Sequence, residues 1–273
     1  MKKVKLLVIP ALLLIITITG GCQKPETSPP LSPPQTDSPV LKPEPQTISP
    51  DAKLVCLFFD DGWQNQYDIA LPILLQHDFK ASFGIITDSI GTGEGFWEYI
   101  DEKEINELAK YGMDIAAHTI THPRLTEVTD DQLHQEIFDS KKHLEDLGHN
   151  VRTIIYPNCV CNEKVISYVK DAGYVCGRIC GWDGDTYDLK VTDADARYRI
   201  YSDPIVNHDF DQFKTIADKA SRDKVVCLCY HFISDTGPEE TSTPVANFVA
   251  QMRYLKESGF TIVLLPDLVE YSH

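Results

Sequence analysis

Leu54-Val55-Cys56-Leu57-Phe58-Phe59-Asp60-Asp61-Gly62 is the stretch from which the rest of the chain can be read. Six apolar residues in a row, closed by turn-forming residues, have the length and composition of a buried strand. The run stops at two adjacent carboxylates and a glycine, and a helix-like segment comes next over residues 67–76. The unit then recurs. Strands are expected at 81–86, 113–117, 151–156, 174–179, 225–230 and 260–265. Between them, Asp101 with Glu104 and Thr129 with Gln132 form capping boxes that open helices, closed at Gly112 and Gly148. Further helices are expected over 163–172 and from Thr243-Pro244 to Gly259. Residues 181–209 are the least regular and are expected to cross the active face as loops. Strand-helix alternation over about 220 residues implies an α/β fold, a parallel sheet or a (β/α) barrel. In such folds the chemistry sits on loops after the C-terminal ends of strands.

The N-terminus differs from this domain. Lys2, Lys3 and Lys5 precede an apolar run from Leu6 to Thr19, then Gly20-Gly21-Cys22. The run is short for a membrane span, which needs about 20 residues, and has the form of an export signal. A cysteine directly after small residues resembles a bacterial lipoprotein signal, so residues 1–22 are expected to be a lipoprotein signal with Cys22 lipidated. Residues 23–50 hold nine of the seventeen prolines and no aromatic residue, the composition of an extended tether. The folded domain is then residues 51–273. The whole chain carries a net charge of −16, and residues 51–273 carry −18. So acidic a domain is a poor partner for phosphate backbones, which argues against nucleic acid as a partner. Seven cysteines fall in the domain, an odd number, so at least one is not in an internal disulfide.

Polar clusters end four of the expected strands. Asp60 and Asp61 come directly after Phe59, and two carboxylates can divide labour, one holding a metal and the other taking a proton. His118 and His122 lie four apart, a spacing that puts two imidazoles on one face of a helical turn. With Asp61 they make three protein ligands, which leaves coordination positions open as a catalytic metal requires. Tyr156-Pro157-Asn158 comes after a strand, and the proline fixes a turn from which the next N–H can point into the site. His231 closes the run 225–230. Cys227, Cys229 and His231 share one strand face by parity.

The ordered set Asp-Asp-Gly, His-x-x-x-His-Pro, Tyr-Pro and an apolar strand ending in Tyr-His resembles the polysaccharide deacetylases of the NodB-homology type, carbohydrate esterase family four. The resemblance spans nearly all of residues 53–268. It implies a distorted (β/α) barrel in a single catalytic domain and a metal-dependent removal of acetyl groups. It also implies Asp60 as catalytic base, Asp61, His118 and His122 as metal ligands, the Asn158 N–H as oxyanion donor and His231 as general acid. The metal expected is zinc, with cobalt, nickel or iron able to serve. Trp63, Trp97, Tyr156 and Pro157 are candidates for contact with the sugar. Two features depart from the family pattern. Ile155 stands where many members carry an arginine that orients the base, and Arg199 is the expected replacement. Trp182-Asp183 matches the family's fourth motif only loosely. The implied protein is a monomer, lipid-anchored outside the cell membrane and acting on acetylated polysaccharide. An O-acetyl esterase and a tethered glycan-binding protein with little turnover are the alternatives.

Overall fold

The computed structural model describes residues 48–181, 185–190, 193–207 and 209–271. Cys22, the signal, most of the tether and the Trp182-Asp183 motif lie outside the described residues. In chain order the strands are β1 (Lys53–Phe59), β2 (Ser82–Ile85), β3 (Asp114–Ala117), β4 (Thr153–Ile155), β5 (Cys176–Cys180), β6 (Thr186–Asp188), β7 (Ile200–Pro204), β8 (Lys224–Tyr230), β9 (Phe232–Ile233), β10 (Ser242–Thr243) and β11 (Phe260–Ile262). Strands β1, β2, β3, β4, β5, β7 and β8 pair in that order, all parallel, and β8 pairs back onto β1 from Val55↔Val226 to Phe59↔Tyr230. The result is a closed seven-stranded (β/α) barrel in one catalytic domain.

Side-chain parity explains the two-layered core. On β1, Val55, Leu57 and Phe59 face outward to the helices, while Leu54, Cys56 and Phe58 face the barrel interior. Phe59 stacks on Phe83 and Tyr230, centroids 4.9 and 5.5 Å away, and meets the edge of Phe248 from helix Val245–Glu257. This aromatic group locks β1, β2 and β8 under one helix. Inside, Phe58, Ile155 and Ile200 share the space with small side chains, among them Ala116, Cys56, Cys176, Cys227 and Cys229. A seven-stranded barrel leaves little interior volume, so small residues must accompany each large one. The parity reading of Cys227 and Cys229 therefore puts both in the core, as buried thiols.

Both capping boxes form, at Asp101 and Glu104 and at Thr129 and Gln132. The loop reading of 181–209 needs correction. Among the described residues this region contributes β6 and the barrel strand β7, and Asp209 caps the helix Phe210–Ala217. Strand β7 is hard to see in the sequence because Asp203 and Pro204 break its apolar pattern; it pairs with β8 only over Asp203↔Leu228 and Pro204↔Cys229. Lower on β8, β6 takes that place antiparallel, at Thr186↔Val226. The last strand is also shorter than expected. It ends at Ile262, and the helix Leu265–Tyr271 packs Leu265, Leu268 and Val269 onto the interior cluster with Leu54 and Val225.

Candidate active site

The polar residues meet where the strands end. Backbone pairing continues one residue past each strand: Asp60 N–H donates to the Tyr230 carbonyl at 2.9 Å, and His118 N–H donates to that of Ile85 at 2.9 Å. These bonds hold the end of β1 to that of β8 and the end of β3 to that of β2, and β2 pairs with β1 between them. Asp61 Oδ1 then lies 3.4 Å from His118 Nε2 and 3.6 Å from His122 Nε2. The spacing of the two histidines suggests a helical turn, but 118–122 form a loop. Its path depends on left-handed backbone at Thr119 (φ 67°) and His122 (φ 60°), and the same conformation recurs at Asp61 (φ 77°) and Asn158 (φ 55°). Non-glycine residues hold such angles only when their surroundings enforce them, and such residues cluster at functional sites. Here His122 N–H donates to Thr119 Oγ1 at 3.1 Å, and Thr87 and Asp88 N–H groups donate to the carbonyls of Thr119 and Ile120 at 3.1 Å each.

The donor set fits a divalent metal. One ligand atom from each of Asp61, His118 and His122 lies within 4.8 Å of the others. The Ile155 carbonyl can only accept, so His118 Nδ1 must donate to it, at 2.8 Å, and Nε2 is left with its lone pair towards the site. For His122, burial and then the neighbouring His118 lower the pKa, which favours the neutral, ligating imidazole. Burial pushes the Asp61 carboxyl up, but the hydrogen bond and charge of His118, followed by His231 and His122, outweigh it and hold Asp61 well below the usual range. Trp63 Nε1–H donates to Asp61 Oδ2 at 2.9 Å and fixes the carboxylate plane.

Asp60 is buried beside this set. Its pair is not Arg199. That residue lies on the outside, paired with Glu163. The arginine at Asp60 is Arg178, fully buried inside the barrel on β5, which donates from one Nη to Asp60 Oδ2 and from the other to Ser202 Oγ at 3.0 Å. Its guanidinium also lies 5.5 Å from the Phe58 ring centroid. Since β4 and β5 pair Ile155↔Arg178, Arg178 lies on the strand next to Ile155, the position at which the sequence departs from the resembled pattern. The signal is available in the sequence: a charged residue at inward parity inside an apolar strand. Burial would raise the Asp60 pKa, but Arg178, then His231 and His118, bring it below the ordinary value. His231 Nε2 is 3.8 Å from Asp60 Oδ2. Gln66, fully buried, donates its amide to the Asp60 carbonyl and, at 2.9 Å, to the His231 carbonyl, which ties the two chain segments together.

The four candidates for sugar contact separate. Tyr156 is buried, with its ring over Gly177, where a Cβ would come within 2.5 Å of the hydroxyl. Pro157 is buried in its turn. Trp63 is buried too, stacked between Tyr99 and Phe232 with centroids 4.1 and 4.5 Å away. None of these three rings is open to a sugar. Trp97 is 54% exposed and stands edge-on to Trp63 and Phe232.

A disulfide joins Cys159 to Cys180. It ties the Asn158 turn to the end of β5, two residues beyond Arg178. Cys161 is free, so Cys159 and Cys161 have separate fates. Replacing Cys159 and Cys180 together by alanine is expected to cost roughly 3 kcal/mol, from the chain entropy of a loop of this length. Urea unfolding without reductant would measure it, and an unchanged midpoint would contradict it.

The closed parallel barrel thus brings an Asp-His-His donor set and a buried carboxylate to one end, an arrangement able to hold a divalent ion beside a proton acceptor. Residues 47–177, just under half of the chain, match the family model described as polysaccharide deacetylase. The peptidoglycan-N-acetylglucosamine deacetylase of Bacillus cereus is 25% identical over 222 residues, covering 81% of this chain and 90% of that protein. YxkH of Bacillus subtilis, whose name also carries the words polysaccharide deacetylase, is 35% identical over 133 residues. That match takes in 48% of this chain and 46% of YxkH, so the chain spans about half the length of that relative. Among solved structures, the Bc1960 peptidoglycan N-acetylglucosamine deacetylase superimposes with a TM-score of 0.56 at 21% identity, covering 81% of this chain and 89% of that one. At that identity the likeness concerns the fold.

Proposed function

We propose that this protein removes acetyl groups from an N-acetylated cell-surface or extracellular polysaccharide. The observation that carries this reading is the buried Asp60 carboxylate, paired with Arg178 and 3.8 Å from His231, beside the Asp61, His118 and His122 donor set. A divalent metal held by those three residues, zinc being our choice from the ligand types, would polarise the acetyl carbonyl and acidify a water. Asp60 accepts the proton of the attacking water. Arg178 keeps Asp60 ionised and aimed, and Gln66 holds it level with His231. The Asn158 N–H, presented by its left-handed turn, donates to the oxygen that becomes negative; one such donor is worth about 3 kcal/mol. His231 gives its proton to the departing nitrogen as the carbon–nitrogen bond breaks, so acetate and a free amine are the products.

Trp97 offers an aromatic face at the rim for a sugar ring further along the chain. Trp97→Ala is expected to raise KM on polymer about three- to tenfold, as loss of one aromatic contact of order 1 kcal/mol implies, and to leave kcat unchanged. A matching fall in kcat would contradict that role. The pattern of residues 1–22 supports an exported form, lipid-anchored at Cys22 outside the cell membrane, with residues 23–50 as tether. The substrate reading is tested by comparing acetate release from N-acetylglucosamine oligomers and from acetylated xylan. Release from the oligomers is expected to be the faster. Release from xylan alone would identify an O-acetyl esterase, and binding without release a glycan-binding protein.

A further inference from the structure

The helix that starts at Asp130 does not run regularly. Its α-helical turns Asp130–His134 and Ser140–Asp146 are separated by a π-helical turn, Gln135–Asp139. A π turn inserts one residue and rotates the helix beyond it, and such turns recur at functional sites. Here it buries a carboxylate, Glu136, which is 9% exposed although it belongs to no ion pair described in the structure.

The Glu136 carboxylate accepts three hydrogen bonds from one short loop. Ile120 N–H donates to Oε2 at 2.7 Å, Thr121 N–H donates to the same oxygen at 2.9 Å, and Thr121 Oγ1–H donates to Oε1 at 2.5 Å. That loop runs from His118 to His122. Two consecutive N–H groups aimed at one carboxylate oxygen are bonds to an ionised acceptor, the strong kind. They also need the chain to turn between two left-handed residues, Thr119 and His122. Without an acceptor at this place those N–H groups would turn to water, and the backbone angles that carry His122 towards Asp61 would lose their support.

We propose that Glu136 is a positioning residue for metal binding: through the Ile120 and Thr121 amides it sets the loop geometry that brings His122 to His118 and Asp61. It touches no ligand atom of the triad in this structure, so its effect passes through the loop. The inference rests on the reading of Asp61, His118 and His122 as the metal site.

The test uses the full chain, stripped of metal by chelation and titrated with cobalt and with zinc. Cobalt binding is monitored by its visible absorption and zinc affinity by competition with a chromophoric chelator. Four variants are compared with wild type: Glu136→Ala, Glu136→Gln, Thr121→Pro and Asp61→Ala. Glu136→Ala is expected to weaken zinc binding about 10- to 100-fold, the range for outer partners of metal ligands, and to alter the cobalt spectrum. Glu136→Gln keeps an oxygen able to accept from both amides and is expected to recover most of the affinity and the wild-type spectrum. The thermal midpoint of each metal-free protein is measured in parallel. If wild type binds tightly and Glu136→Ala matches it in affinity and spectrum, the inference is overturned while the site reading stands. If Glu136→Ala does not fold, Thr121→Pro decides, because it removes the Thr121 N–H and hydroxyl donors from the other side of the same contact. Weakened zinc binding in Thr121→Pro, with Glu136→Gln close to wild type, supports the proposal. Unaltered binding in Thr121→Pro overturns it. If wild type itself binds no metal, or Asp61→Ala binds as well as wild type, the site reading fails and the inference falls with it.

Discussion

Asp60→Asn is expected to keep the fold and the metal and to release acetate about 10²- to 10⁴-fold more slowly than wild type, the range that a positioned general base supplies. The substitution is nearly isosteric. The Asn amide oxygen can still accept from Arg178, and the backbone carbonyl that takes the Gln66 amide is untouched. What is lost is the ability to take a proton. Asp61 does not replace it, because its oxygens face His118, His122 and the Trp63 N–H. Steady-state acetate release with metal stoichiometry in the same preparation separates the two effects. A variant with full metal content and wild-type rate would remove Asp60 from the mechanism.

Arg178→Met is expected to be the most destabilising single change at the site. Removing one partner of a buried ion pair costs about 3–5 kcal/mol, because the remaining charge is left without compensation. The pH dependence is set by the sign of the Asp60 shift. In wild type the folded pKa is held below its ordinary value of 3.8. The pair therefore contributes stability above the unfolded pKa, and this is lost as pH falls through the folded one. In the variant only burial is left, and burial raises the pKa, so the penalty is present at neutral pH and fades as Asp60 takes up a proton. The gap between wild type and Arg178→Met in urea unfolding should accordingly be wide at about pH 7 and narrow below about pH 4. A gap independent of pH would mean that lost packing against Phe58, and not charge, is responsible. Acetate release should fall as well, and Arg178→Lys, which keeps the charge without the two-pronged contact to Asp60 and Ser202, should recover part of the stability and less of the rate.

Features with local causes are legible in the sequence. The run 54–59 reads as a buried strand because its composition leaves no other choice, and the capping boxes at Asp101 and Thr129 form because both partners lie within one turn. The polar residues at strand ends are legible because parity and strand length put them there. The hidden features depend on pairings distant in sequence. Arg178 and Asp60 are 118 residues apart and meet only because β5 and β1 line the same interior. The sequence marks Arg178 as a charge inside a strand, but that Arg178 and not Arg199 meets Asp60 follows from closure of the barrel, which no local pattern shows. Trp63 reads as a sugar platform, yet Tyr99 and Phe232 cover it, and its indole serves Asp61 instead. Strand β7 escapes notice because its own pattern is weak and its place is fixed by β5 and β8. Glu136 gives almost no sequence signal, because a π turn changes the helical register that apolar spacing is used to infer.

Metal dependence is the central claim. Strip the full chain with a chelator, assay acetate release from N-acetylglucosamine oligomers, then restore zinc or cobalt stoichiometrically, with Asp61→Ala treated alike. The expected result is activity near background in the stripped protein, recovery on reloading and no recovery in Asp61→Ala. Undiminished release from fully stripped wild type would contradict it.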